Sequence, residues 1–121
     1  MMKTYEITTE ELKKYKKAGE GFKAVEWNNG TKQSYKYDET GKSLIGRAFK
    51  VDGDISECKW GLHFSKDPAN VFCFYEPLGY NKYFKVEAYE KVIDGDQKSV
   101  ASIIKFVEEY ELMEFIEIIK S

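Results

Sequence analysis

The stretch CKWGLHFSKDPANVFCFYEP, Cys58 to Pro77, holds the only histidine of the chain, His63. It also holds both cysteines, one of the two tryptophans and both prolines. Cys58, His63 and Cys73 are ligand types that zinc accepts, and Asp67 could complete a set of four. Zinc sites, however, ordinarily show a tight C-x2-C pair, and the spacing here is C-x4-H-x9-C. No metal and no cofactor is therefore expected, and both cysteines read as small apolar residues packed inside. A Cys58–His63 thiol pair is the alternative chemistry. If SECKW and GLHFS are strands around a bend at Gly61, those two side chains need not meet. Cys73, within FCF, reads as buried rather than reactive. In GLHFS, a strand puts Leu62 and Phe64 on one side, with His63 and Trp60 on the other. Two readings of His63 stay open: a histidine hydrogen-bonded beside the core, or a ligand or partner contact next to Trp60. The candidate contact residues are Trp60, His63, Phe64 and Tyr75. Aromatic faces stack on bases or partner side chains, and the imidazole supplies a hydrogen bond.

The elements that must position these residues follow from pattern. Thr8-Thr9-Glu10-Glu11 is a capping box. It predicts a surface helix to about Ala18, with Leu12 and Tyr15 as a thin stripe and Gly19 and Gly21 as the stop. GFKAVEW reads as a strand with Phe22 and Ala24 on one face. NNG (28–30) is a turn signal, TKQSYKY a returning hairpin strand and DETGK a second turn. SLIGRAFKV carries a third strand, and DGD (52–54) turns again. Asp67-Pro68 starts a short helix to Tyr75, with Val71, Phe72 and Tyr75 inward and Pro77 and Gly79 as its end. YNKYFKVEAYEKVI sets Phe84, Val86 and Ala88 against Lys85 and Glu87, the clearest strand alternation in the chain. KSVASIIKFV follows as a strand with Val100, Ser102, Ile104 and Phe106 on one face. Leu112, Phe115, Ile116 and Ile119 then switch to helical spacing. The expected fold is one α+β domain over 1–121. It has a mostly antiparallel sheet of about five to six strands, an N-terminal helix, a short central helix and a C-terminal helix.

The totals exclude some functions. With 19 basic and 21 acidic residues the net charge is -2, which does not suit a protein that grips a nucleic-acid backbone. The run Lys13, Lys14, Lys16, Lys17 is flanked by Glu10, Glu11 and Glu20 and reads as a solvated face. No apolar run reaches the roughly 18 residues of a membrane span. The N-terminus lacks the apolar core of a signal peptide, so a cytoplasmic protein with reduced cysteines is expected. No phosphate loop is present, since neither GEG nor NNG leads into a Walker lysine or a GxGxxG pattern. The pairs Asp52/Asp54 and Asp94/Asp96 belong to glycine turns. Aromatic residues reach 16%, which favours a half-buried contact surface.

Two resemblances join these readings. GDISECKWGLHFSKDPANVFCFYEP, NKYFKVEAYEKV and KSVASIIKFVEE together resemble a phage- and prophage-associated domain of unknown function. That domain is marked by a C-x-x-G-L/F-H-F core and a P-x-x-V-F helix ending in a tyrosine pair. Cys58, Gly61, His63, Phe64, Pro68, Val71, Phe72 and Tyr75 fall in place over roughly Phe49 to Val107, and Phe74-Tyr75 stands where the pair is Tyr-Tyr. The resemblance implies a small viral or mobile-element protein and carries no catalytic residue. GLHFSKDPANVFCFY followed by YFKVEAYEKVI is also similar to the middle of ADP-ribosyltransferase-like domains, which implies a helix beside a nicotinamide pocket. No first-strand histidine or arginine stands near GFKAV to match that family. Its late glutamate has no unique counterpart among Glu108, Glu109, Glu111, Glu114 and Glu117. The likeness is one of fold, which does not carry function.

The expected function is a non-enzymatic phage- or prophage-type binding protein. It contacts a host protein or a small nucleotide-like ligand, as in counter-defence, and a homo-oligomer is compatible with it. The alternatives are an NAD-using transferase, with His63 and a C-terminal glutamate as its polar groups, and an accessory structural phage protein.

Overall fold

The computed structural model describes residues 3–26, 43–56, 60–73 and 81–121. The expected hairpin strand TKQSYKY, its turns NNG and DETGK, and Cys58, Tyr75, Pro77 and Gly79 lie outside the described residues. Six strands form an antiparallel sheet: β1 (Thr4–Ile7), β2 (Lys17–Glu26), β3 (Ala48–Val51), β4 (Leu62–Phe64), β5 (Asn81–Asp94) and β6 (Ser99–Tyr110). Two helices, α1 (Thr9–Leu12) and α2 (Leu112–Lys120), and a 3-10 helix at Pro68–Cys73 complete the described chain. The small α+β class with a mostly antiparallel sheet is thus as read from the sequence.

The sheet runs β1-β3-β6-β5-β2, and β4 adds to β6 alongside β3. β3 covers Ile103 to Lys105 of β6, and β4 covers Ser99 to Ala101. Ser65, just past β4, then bridges to Phe22 of β2, the two residues exchanging backbone hydrogen bonds of 2.7 and 2.8 Å. The hydrogen-bonded path β2–β5–β6–β4 therefore closes on itself as a small barrel. Closure satisfies backbone groups that an open edge would leave to water. It also requires Gly21. A Cβ there would overlap the Ser65 carbonyl oxygen and lie 2.7 Å from Phe64 Cδ2.

Inside the ring, Val25, Leu62, Phe64, Phe84, Val86, Ala88, Ala101, Ile104 and Phe106 share one core with Phe49 and Val51 of β3. The outer face of β2 and β5 presents Ala24 and Tyr83, which α2 and the 3-10 helix cover with Phe115 and Val71. Phe115 stacks on Tyr83 at 4.9 Å and meets the edges of Phe22 and Phe72 at 5.9 and 5.7 Å. Burying such a ring contributes about 1.5–3 kcal/mol, which is what holds a nine-residue helix in place. A smaller cluster of Ile7, Leu12, Ala48 and Ile103 packs α1 on the other side.

Three sequence expectations change. Thr8 caps α1 as read, accepting from the Glu11 amide at 3.1 Å, but the helix ends at Leu12. A single buried anchor cannot offset the cost of extending an isolated helix, and β5 captures the chain from Lys17 onward. Gly19 and Gly21 therefore lie in β2 and stop nothing. The short helix after Asp67 is 3-10 and spans Pro68–Cys73, and Asp67 Oδ1 accepts from the Ala69 amide at 3.0 Å. Third, the expected alternation of β6 breaks: Ala101, Ile104 and Phe106 share the inner core. The cause is a register shift between Tyr89 and Val92 of β5, where Glu90 takes φ 71. Ser102, buried, fills the break. Its hydroxyl accepts from the Lys91 amide at 3.1 Å and donates to the Tyr89 carbonyl at 3.2 Å. Ser102→Ala is expected to cost about 1–3 kcal/mol in urea unfolding, because both backbone groups then lose a partner that water cannot replace.

Candidate binding site around His63

β4 is three residues long and His63 is its centre, with Val100 as register partner. Leu62 and Phe64 point into the core, so the imidazole faces the other side of the strand. Trp60, expected from the sequence on the same side as His63, does not join it there. It packs against the core that holds Leu62 and Phe64, and its indole Nε1 donates to the Asp52 carbonyl at 2.8 Å. The reversal comes from Gly61, at φ 136, which turns the chain between Trp60 and β4. Phe64 is a core residue, 3% exposed. Tyr75 lies outside the described residues. Of the three expected contact residues that are described, His63 lies on the outer side of β4, with Trp60 and Phe64 against the core.

Its neighbour is a residue the sequence reading passed over. Lys23 sits on the inner face of β2 in register with Phe84, and it is buried. Its ammonium donates to the His63 carbonyl at 2.6 Å. After the isolated Phe22–Ser65 bridge, the next rung of an antiparallel ladder would pair Ala24 with His63. The lysine amine takes that carbonyl instead, at the point where β2 and β4 part. The β5–β6 turn closes the third side, because the Ser65 hydroxyl donates to the Gln97 carbonyl at 3.1 Å. In the same turn Gly95 N–H donates to the Lys98 carbonyl at 2.9 Å. Asp94 is held by the Ser99 hydroxyl at 2.8 Å and the Lys66 ammonium at 2.9 Å.

Lys23 from β2 and Lys98 from the β5–β6 turn both act electrostatically on His63. Burial first, then the charges of Lys23 and Lys98, push the His63 imidazole down to about 4. Burial and then Lys98 push the Lys23 amine down to about 7. At neutral pH the imidazole is uncharged, and its Nε2 is buried with no hydrogen-bond partner among the described residues. A buried polar atom in that state is rare enough to ask for an account. Among the described residues no hydroxyl or thiol is hydrogen-bonded to Nε2, the contact that a nucleophile and its base would make.

Of the metal-ligand types named from the sequence, Cys58 lies outside the described residues. Among the described residues no group of three or more His, Cys, Asp and Glu is gathered to hold an ion. Cys73 is exposed rather than buried, at the end of the 3-10 helix with its sulfur 4.0 Å from Asn70 Oδ1. The 3-10 winding of Pro68–Cys73 turns Val71 inward and leaves Cys73 outside. No described helix is long and apolar enough to cross a membrane.

The whole of this junction falls inside one matched region. Residues 21–118 match the family described as Domain of unknown function (DUF7666). The chain belongs to that family. The matched span opens at Gly21, whose missing side chain lets Ser65 close the ring, and takes in Lys23, His63 and Lys98. β1 and α1 precede it. No curated protein and no solved structure matches the chain.

Lys23 was legible in principle. In GFKAV the lysine is flanked by Phe22, Ala24 and Val25. A strand apolar on both faces except at one charge is the sequence sign of a buried charge with a dedicated partner.

Proposed function

We propose that the chain is a non-enzymatic, phage- or prophage-type binding protein of the cytoplasm. It captures a small nucleotide-like ligand or a host protein through the His63 side of β4, and such capture would serve counter-defence. The observation that supports this reading is the buried, unpartnered His63 Nε2 beside two lysines. A neutral imidazole with an unused nitrogen can donate or accept one hydrogen bond, which suits recognition and leaves no nucleophile for it to activate. The phage association draws on the resemblance of the Cys58–Tyr75 stretch.

Native mass spectrometry of protein purified from its own cells, before and after denaturation, tests the proposal. A retained small molecule or a stoichiometric partner is expected on wild-type protein. It should be lost from a folded His63→Phe variant, which keeps a ring and removes both nitrogens. A bare wild-type chain that releases nicotinamide from NAD would overturn the proposal in favour of a transferase.

A further inference from the structure

We propose that the seam between β2 and β4 is a gate. It parts while the rest of the ring stays folded, and its parting is the step that uncovers the His63 imidazole for capture. The inference deepens the binding-protein reading and rests on it.

The first observation is how little fastens the seam. β2 pairs with β5 from Lys17 to Glu26, and β5 pairs with β6 from Tyr83 to Asp94. Between β2 and β4 the described residues give one bridge, Phe22 to Ser65. Its two backbone hydrogen bonds, of 2.7 and 2.8 Å, are joined by the bond of 2.6 Å from the Lys23 amine to the His63 carbonyl. Folded chains open locally where few pairings tie one unit to the next.

The second is that each side of the seam keeps its own support when it parts. β2 stays on β5. β4 stays on β6 through the pairs Leu62–Ala101, His63–Val100 and Phe64–Ser99, and the Ser65 hydroxyl stays on the Gln97 carbonyl of the β5–β6 turn. None of these pairings crosses the seam, so parting it breaks none of them, and the opening is smaller than unfolding. Closure is also tight. The Ser65 carbonyl oxygen lies so near Gly21 that a Cβ there would overlap it, so the seam is either seated or parted, with little between. Phe64 and Leu62 belong to the shared core, which keeps the parted state a minority.

The third is what the closed ring hides. His63 is the centre of β4, the strand that moves. Its Nε2 is buried and has no hydrogen-bond partner among the described residues. A ligand or a partner group cannot bond a nitrogen that is covered, so recognition through it needs a state that uncovers it. Parting the seam releases the His63 carbonyl from Lys23 and gives Nε2 a partner, water or ligand, where it had none. That gain offsets part of the cost of opening. A molecule that bonds only the open state then raises its population.

The test pairs residue-resolved hydrogen exchange of the full-length protein with acylation of His63 by diethyl pyrocarbonate, read by mass spectrometry. Both are run at one pH and at urea concentrations below the unfolding transition. The Phe22 and Ser65 amides, which carry the seam bonds, should exchange about a hundredfold or more faster than the slowest amides of β5 and β6, with a weaker urea dependence. His63 acylation should follow the Ser65 amide in its urea dependence. In Gly21→Ala the added Cβ holds the seam apart. There acylation should rise about tenfold or more while the slowest amides of β5 and β6 stay protected. Seam amides that exchange only together with the slowest ones overturn the proposal, because the ring then opens only by unfolding. So does acylation whose urea dependence departs from that of Ser65, or acylation unchanged in folded Gly21→Ala. If Gly21→Ala does not fold, the wild-type comparison decides alone. A molecule retained on a protein whose seam opens only by unfolding overturns the gate and leaves the binding-protein reading intact. A bare chain that releases nicotinamide from NAD does the reverse if its His63 is still uncovered by the seam.

Discussion

Gly61→Ala is expected to destabilise the protein by about 3–5 kcal/mol, enough to remove most of the stability of a domain this size. Two effects add. Gly61 has φ 136, a conformation that a residue with a side chain adopts only under strain. The added Cβ would also overlap Val100 Cγ1 and come within 3.2 Å of Ile55 Cγ2 and 3.3 Å of the Ala101 carbonyl oxygen. Val100 cannot yield cheaply. It is 1% exposed and pairs with His63 on one side of β6 and Ile93 on the other. Nor can the Ala101 carbonyl, which belongs to the sheet. Urea unfolding reads the effect directly. Adding Val100→Ala should return only part of the loss, because it relieves the overlap, leaves the backbone strain and opens a cavity. A single-variant loss under about 1 kcal/mol would show that β4 can be reached by another backbone path, and the account of Gly61 would fail. The same residue sets the site. Its turn sets Trp60 against the core and leaves the imidazole on the outer side of β4.

The sequence made the local elements legible where one physical signal dominated. The two-residue alternation of Phe84, Val86 and Ala88 predicted β5, and the helical spacing of Leu112, Phe115, Ile116 and Ile119 predicted α2. Thr8 and Asp67 announced their caps correctly, because a side-chain oxygen offered to a nearby amide is a local event. What failed depended on partners distant in sequence. α1 was read too long because its continuation is better used pairing with Tyr89 and Ala88 of β5. The face of β6 was misassigned because Ser102 and Glu90 together absorb a register shift that no period reveals. The candidate site divides the same way. His63 stood out by being unique, whereas Trp60 was misplaced because one glycine dihedral inverts its side of the strand. Lys23 was passed over although GFKAV carries a local sign of its burial, and the carbonyl that receives its amine is supplied by the Ser65–Phe22 closure, between residues far apart in sequence.

That buried amine makes stability depend on pH in a window where few other groups act. The Lys23 amine titrates near 10.5 when the chain is unfolded and near 7 in the fold. Between those values the unfolded state holds a proton that the folded state has released, so folding stability rises with pH. The slope for one group is at most about 1.4 kcal/mol per pH unit, and roughly 2–3 kcal/mol is expected to accrue from pH 7 to about 9.5. Below pH 7 both states are protonated and the full penalty remains. The carboxylates of Glu20, Glu87 and Asp94 are held below their ordinary values by the ammonium groups and hydroxyls beside them, so they stay ionised throughout this window. Tyr89 and Tyr110, both pushed up by burial and by a neighbouring glutamate, oppose the trend only at higher pH. His63 contributes on the acid side alone: its stability term is present above 6.5 and is lost as pH falls through about 4. Lys23→Met keeps the length and apolar stem, removes the amine and gives up the hydrogen bond to the His63 carbonyl. It should gain about 1–3 kcal/mol at pH 7, lose that advantage by about pH 9.5 and flatten the profile between. Urea unfolding of both proteins across that range checks this. A wild-type profile already flat from pH 7 to about 9.5 would mean that the amine stays charged in the fold. In that case the account of Lys23 as a neutral buried amine above pH 7 would fail.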